Sequence, residues 1–297
     1  MANYHDTRYK KLFKNPVFVQ RLLEGFVDES FVKDLDFSTF SLLDKSFITD
    51  EFLNRESDHI CKVSFQNKTM YLFILMEFQS TVDHFMAVRF LRYICEFYQY
   101  LIDSKQVSKK LPAVFPILLY NGESKWTADV QFSNLIEQTV SSRFIPKFEY
   151  FKIAENEFSD ESLLTIKNVV SALFFVENHE IDKLKDHIDS LVVLLKKEDL
   201  SVINLFSTWI NDYLGNRTDR QEIMHPIKSI TEVKSMLAAS LERYEKKLLK
   251  EGREEGREEA LDMSILNMKG KGLSASKIAD LLNISMERVE KTLKKQK

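Results

Sequence analysis

The sequence predicts an α/β protein in which a small mixed sheet is flanked by helices and followed by an all-α C-terminal tail. Three observations carry that expectation. Apolar residues recur at helical spacing over residues 1–30 and 82–102; two short continuous apolar runs have the length of buried strands; and the chain beyond residue 159 is helical in periodicity. Scarce glycine (7) and proline (5) among 297 residues agree with long regular elements and few elaborate loops.

In the first segment Leu12, Phe13, Phe18, Leu22, Leu23 and Phe26 share one broad face around a break at Asn15-Pro16. From Ser46 to Gln79 the texture turns strand-like. His59 to Phe65 alternates loosely, Tyr71–Met76 is a continuous apolar run suited to a central strand, and Gln66-Asn67-Lys68-Thr69 between them reads as a hairpin turn. Val82 to Ile102 returns to a helical, aromatic-rich pattern. Ala113 to Tyr120 is a second buried strand closed by Asn121-Gly122, and Phe148 to Ile153 is a further strand candidate. Ser159 to Leu214 is helical, with an apolar cluster at Leu191–Leu195, and His225-Pro226 marks a boundary. Ile227 to Met268 reads as one long charged helix containing the tandem Glu251-Gly252-Arg253-Glu254-Glu255-Gly256-Arg257-Glu258-Glu259. The expected organisation is therefore an α/β core (1–158), a helical extension (159–225) and a tail (226–297).

Composition narrows the function classes. At 44% hydrophobic and 29% charged, the chain is an ordinary globular protein. A net charge of -3 means that a nucleic-acid partner has to be held by a local basic surface. Cys61 and Cys95 are too few and too isolated for a disulfide framework or a zinc site. The N-terminal residues lack an apolar signal region, and the longest apolar run falls far short of the ~20 residues that span a bilayer. A cytoplasmic protein without a membrane partner is expected.

The chemically informative feature is a polar interruption in a buried strand, Leu72-Phe73-Ile74-Leu75-Met76-Glu77-Phe78-Gln79. Alternation places Glu77 and Gln79 on one face and Phe78 on the other. A carboxylate at the end of a core strand requires compensation, because an unpaired buried charge is costly. If Asn67-Lys68 closes the hairpin as a two-residue loop, Asp58 comes to lie directly opposite Glu77, with Cβ atoms roughly 4.5–5.5 Å apart. A four-residue loop puts it opposite Gln79 on the same face, and a three-residue loop turns it away. Two carboxylates so close repel unless one is protonated or a cation lies between them, and oxygen ligands suit Mg²⁺ or Mn²⁺. The plain alternative is a strand-end Glu and an exposed Asp, each paired with a nearby Arg or Lys.

Asp58 followed on an adjacent strand by Glu77-Phe78-Gln79 resembles the PD-(D/E)XK (restriction-endonuclease-like) core, with Gln in place of the usual Lys. Within that superfamily the chain resembles the recombination-promoting nucleases, a family that also carries a transposase label. The matching stretches are His5-Asp6-Thr7-Arg8-Tyr9-Lys10-Lys11-Leu12-Phe13, Arg55-Glu56-Ser57-Asp58, Leu75-Met76-Glu77-Phe78-Gln79-Ser80, Met86-Ala87-Val88-Arg89 with Tyr93, and Leu111-Pro112-Ala113-Val114 through Tyr120-Asn121-Gly122 to Trp126. The resemblance implies Mg²⁺-dependent (or Mn²⁺-dependent) endonucleolytic cleavage of DNA, linked to recombination or to defence against mobile DNA. It makes Asp58 and Glu77 metal ligands and puts Gln79 in the lysine's place. Phe78 stands where the family has histidine.

Supporting residues carry two readings each. Asp6 and Lys10, one helical turn apart, either rim the site or form a helix pair. Arg89 and Tyr93 share a helix face, where the arginine either clamps phosphate or bridges structural carboxylates. Asn121-Gly122 either offers backbone N–H groups to DNA or ends a strand. His179 and His187 lie too far apart along a helix to bind one ion and are expected at the surface. In the tail, Ser274 and Ser285 are N-caps for two short helices joined through Asn283, with Ile278, Ala279, Leu282, Ile284 and Val289 inside, a pattern that resembles a helix-turn-helix. Arg288, Lys291, Lys294 and Lys295 are its candidate phosphate contacts. The charged helix before it is expected to make a homo-oligomer, since a lone helix is marginal without a packing partner.

Overall fold

A computed structural model describes residues 9, 11–43, 59–66, 68–77, 81–137, 141–215 and 226–294. The chain divides into two compact units, Met1–Ala238 and Ala239–Lys297.

The break at Asn15-Pro16 is a helix start. Helix α1 (Pro16–Phe26) opens with the Asn15 side chain accepting from the Val17 N–H at 2.9 Å, and Pro16 sits in the first turn, where its missing N–H costs nothing. The helix buries Phe18, Val19, Leu22, Leu23 and Phe26, the face anticipated from spacing.

A five-stranded mixed sheet follows, in the order β1-β2-β3-β4-β5. Strands β1 (Leu35–Leu42), β2 (His59–Phe65) and β3 (Lys68–Glu77) form an antiparallel meander. Helix α2 (Met86–Asp103) then crosses over, so that β4 (Ala113–Tyr120) lies parallel to β3 and β5 (Phe151–Ala154) parallel to β4. Strand β1 was not anticipated. It is an edge strand with mostly exposed side chains, so it lacks the apolar alternation by which strands are read. Its register breaks between Asp36 and Ser41, where Thr39 Oγ1 accepts from the Ser64 N–H at 2.8 Å in place of a backbone carbonyl.

The hairpin closes one residue earlier than expected. Phe65 pairs with Lys68 and His59 with Ile74, with Gln66 at positive φ in the turn. Each β3 residue therefore faces a β2 partner two positions earlier than the Asn67-Lys68 loop would give. A two-residue shift preserves which face each side chain takes, but it removes the direct pairing on which an Asp58–Glu77 opposition rested.

Both faces of the sheet are covered, which is why β3 reads as a continuous apolar run. On one face α2 buries Met86, Ala87, Phe90, Tyr93, Ile94, Phe97 and Leu101 against Tyr71, Phe73 and Leu75. The Phe97 ring lies 4.7 Å from Tyr71 and 5.3 Å from Phe73. On the other face Phe31 packs edge-on to Phe115 at 4.9 Å. Alternation assigns Glu77 to the α2 face.

Helices α3 (Asp160–Ile166), α4 (Val169–Glu177), α5 (Ile188–Leu195) and α6 (Leu200–Tyr213) complete the first unit's core. Helix α4 is buried on every side and starts with a reciprocal Asn168–Ser171 capping box. His179 and His187 are neither on one helix nor at the surface. The chain leaves helix after Glu177 and returns through a 3-10 segment, Ile181–His187, which brings the His179 and His187 rings to 4.5 Å. Both rings are half-buried, with Phe175 stacked on His179 at 4.3 Å.

The long charged helix is α7 (Ile230–Gly270), followed by α8 (Ala275–Leu282) and α9 (Met286–Lys294). In the second unit Ile265, Ile278, Ala279 and Val289 form a small core with Leu282 and Ile284 packed against it. Ser274 caps α8, Asn283 takes the left-handed conformation (φ 51°), and Ser285 Oγ accepts from the Arg288 N–H, all as the residue types implied. Among the described residues no helix is long and apolar enough to cross a membrane.

Candidate active site

The parallel strands β3 and β4 end together, with Glu77 and Tyr120 in register. The Asn121 N–H donates to the Glu77 carbonyl at 3.0 Å, extending the ladder by one bond. That N–H serves the strand end, so the turn reading of Asn121-Gly122 is the one realised.

Helix α2 supplies the compensation that Glu77 needs. Arg89 Nη1 donates to Glu77 Oε2 at 3.1 Å, with the two side chains only 10% and 13% exposed. Asp83 lies 3.9 Å from the same guanidinium nitrogen, and the Arg89 Cζ is 5.8 Å from the centre of the Tyr93 ring. Arg89 thus lies between two carboxylates, Glu77 and Asp83. Removing either partner of so enclosed a pair would take from the other its nearest described counter-charge.

Tyr120 is fully buried beside this pair and was not singled out from sequence. Burial first, and then the Glu77 charge, push its phenol above the ordinary range. Its ring meets Trp126 edge-on at 4.9 Å. The Trp126 indole N–H donates to the Tyr150 hydroxyl at 2.9 Å, and Tyr150, pushed up to about 12 chiefly by burial, stacks on Phe90 at 5.1 Å. The turn after Tyr120 is pinned by Asn156, whose Nδ2 donates to the carbonyls of Gly122 (2.8 Å) and Ser124 (3.0 Å). In the sequence Tyr120 figures only as a strand end and within the family-like stretch through Tyr120-Asn121-Gly122 to Trp126, with no role attached to it.

A second buried carboxyl follows β5, whose Ala154 pairs with Tyr120. Glu155 is 1% exposed, and the Tyr9 hydroxyl donates to its Oε2 at 2.8 Å. Burial, reinforced by the charge of Glu177, raises the Glu155 pKa well above the carboxylate range; the Tyr9 bond opposes this without prevailing. The 146-residue separation of Tyr9 and Glu155 leaves no local pattern by which sequence could have linked them.

Asp58, Phe78, Gln79, Asp6 and Lys10 lie outside the described residues. A divalent ion at this edge would need Asp58 beside Glu77. Among the described residues no three His, Cys, Asp or Glu side chains are grouped to hold a metal, so those residues alone do not fit one. His179 makes contacts through both ring nitrogens, to the Phe175 carbonyl at 2.7 Å and to Asp160 at 3.3 Å. Cysteine chemistry is disfavoured at Cys61, a buried thiol whose pKa is pushed far up by burial.

Of the tail candidates, Arg288 is committed internally. It pairs with Asp262 at 2.7 Å and with Glu258, and it donates to Thr292, whose hydroxyl in turn donates to Asp262 at 2.7 Å. This network ties α9 to α7. Lys291 and Lys294 are exposed, and Lys295 lies outside the described residues.

Comparison with known proteins agrees with the motifs. The family described as "Putative transposase, YhgA-like" matches residues 3–202. The chain is 30% identical over 118 residues to the recombination-promoting nuclease RpnA of Escherichia coli K12, covering 40% of each chain. It is 31% identical over 121 residues to RpnC of the same strain, covering 40% of this chain and 39% of that one. The chain thus spans about two fifths of the length of these curated relatives. The inactive recombination-promoting nuclease-like protein RpnE, also from strain K12, matches at 22% identity over 264 residues, covering 86% of this chain and 85% of its own. No solved structure matches.

Proposed function

Since the chain belongs to the YhgA-like transposase family, we propose that it is a DNA endonuclease of the PD-(D/E)XK type, working at the edge of the sheet where β3 and β4 end. The observation that carries this reading is Glu77: a carboxylate at the end of a central, doubly covered strand, held by Arg89 at 3.1 Å, in a chain similar to named nucleases. Asp58 and Gln79 complete the site in this reading. Asp58 and Glu77 would hold Mg²⁺ or Mn²⁺, which supplies Lewis acidity and a more acidic water when bound. The chain's own residues set the geometry. Arg89 fixes the Glu77 carboxylate and offsets its charge, and Gln79 orients water or the scissile phosphate. With Gln in the lysine's place the site lacks a cation that would stabilise the developing charge. Purified protein is expected to nick or linearise supercoiled plasmid with Mg²⁺ or Mn²⁺, to stop in EDTA, and to lose the activity in Glu77→Ala. A folded wild-type protein that cuts under no metal would sink the proposal.

A second reading is favoured by RpnE, matched over most of both chains and named inactive. In it the nuclease fold cuts weakly or not at all, and the protein acts as a DNA-binding or regulatory subunit through its tail. DNA binding that persists without metal-dependent cutting would select it.

A further inference from the structure

Helix α7 carries a line of like charge. Arg243, Lys246, Lys250, Arg253 and Arg257 follow one another three and four residues apart, which sets all five on one narrow stripe about 21 Å long. The last four are exposed and line a shallow groove with Leu249 and Glu254. Glu251, Glu255 and Glu258 fall on the far side of the helix. There Glu258 and Asp262 receive Arg288 of α9, so the docked helix leaves the stripe open. Cations at this spacing repel one another, and interleaving the same lysines, arginines and glutamates would remove that cost. Glu242, 2.7 Å from Lys246, and Glu254, 3.9 Å from Lys250, relieve part of it. Arg253 and Arg257 make no ion pair with any described residue.

We propose that this stripe is a contact surface for the phosphate backbone of a nucleic acid, in addition to the candidate lysines of α9. The class of ligand rests on the nuclease reading; the surface rests on α7 alone. A second helix does not fit the stripe, because helices dock through apolar residues at this three-and-four spacing and here every position is charged. Gly252 and Gly256 stand about a third of a turn away round the helix, so self-association through them would not cover the cations. A lipid surface calls for a broad apolar face, and between Lys246 and Arg257 the only large apolar residues are Leu248 and Leu249. A polyanion requires no more than a line of cations, and each phosphate it brings relieves their repulsion.

The test compares the full chain as wild type, as Arg253→Gln with Arg257→Gln, and as a control of equal charge change, Lys196→Gln with Lys197→Gln. Affinity for a short DNA duplex is read by anisotropy in EDTA, where no metal-dependent cutting intervenes, between 50 and 200 mM salt. Losing two phosphate contacts should lower the salt slope by about 2, so that affinity falls about ten-fold less across that range than in wild type. The control should keep the wild-type slope, and all three proteins should keep the same helical content. A stripe variant with the wild-type slope would overturn the proposal, as would a wild type without salt-sensitive affinity. An equal drop in the control would also overturn it, since overall charge would then be deciding. So would an unchanged slope with loss of a wild-type oligomer in sedimentation, which would give the stripe to a second copy. Cutting is scored apart, with Mg²⁺. A wild type that binds through the stripe and cuts nothing loses the nuclease reading and keeps this surface; one that cuts with the slope unmoved keeps the nuclease and loses the surface.

Discussion

Glu77 and Arg89 each make the other's burial tolerable, and they should be separable from the rest of the site. Arg89→Ala leaves a carboxylate 13% exposed without its cation and is expected to lower stability by about 3 kcal/mol, the low end for breaking an enclosed pair. Replacing both partners, as Glu77→Gln with Arg89→Met, should recover much of that loss in urea unfolding, because neither charge is then stranded. A double variant as unstable as Arg89→Ala would show that the arginine acts through some other contact. Glu155 leads to a prediction about pH. Its pKa is raised in the folded state from the ordinary 4.5 by burial and by Glu177. Below about pH 4.5 neither state ionises it. Above that, the unfolded chain ionises while the folded one resists, so stability is lost as pH climbs toward the folded pKa. Glu155→Gln should therefore lose less stability than wild type as pH rises above the ordinary carboxylate range. Parallel curves for the two proteins would contradict this.

Helix α7 shows what an element can and cannot secure by itself. Lys246–Glu242, Lys247–Glu251 and Lys250–Glu254 pair along its exposed surface at i,i+4 spacing, each pair contributing only a few tenths of a kcal/mol. Gly252 and Gly256 interrupt it, and a Cβ at either meets nothing within 4 Å. Gly252→Ala and Gly256→Ala should each stabilise the helix by about 1 kcal/mol, read as helical content and melting temperature. If either instead weakens self-association measured by sedimentation, the glycine face is in use between copies of the chain, which is what the homo-oligomer proposal requires. In α9 the Arg288 network leaves Lys291 and Lys294 as the exposed phosphate candidates. Lys291→Glu with Lys294→Glu should lower DNA affinity and reduce its salt slope by about 2 if the tail touches the backbone. An unchanged slope would remove α9 from the interface.

At the scale of the whole molecule, the sheet's central strands, the crossing helix α2 and the capped helices of the tail were legible because each has a strong local signature: an apolar run, an amphipathic stripe, a Ser or Asn at a cap. Strand β1 was not, because an edge strand with polar side chains has no such pattern. The hairpin was misplaced by one residue because Gln66 carries no turn preference to outweigh Asn67-Lys68, although it adopts positive φ. Glu77 was legible as a charge where none should be free, whereas its partner Arg89 had two readings that only packing could separate. Tyr120 and Glu155 were missed for a common reason. Their significance lies in neighbours brought by the sheet edge and by Tyr9, and no local spacing encodes those.

The measurement that tests the central claim most directly is cleavage of supercoiled plasmid by the full chain with Mg²⁺, Mn²⁺ or EDTA, beside Glu77→Ala. Nicking or linearisation that requires the metal and is lost in the variant is expected, with both proteins remaining folded. Cutting that survives in Glu77→Ala would place the chemistry away from this sheet edge, and a folded wild type inert under every metal would contradict the nuclease altogether.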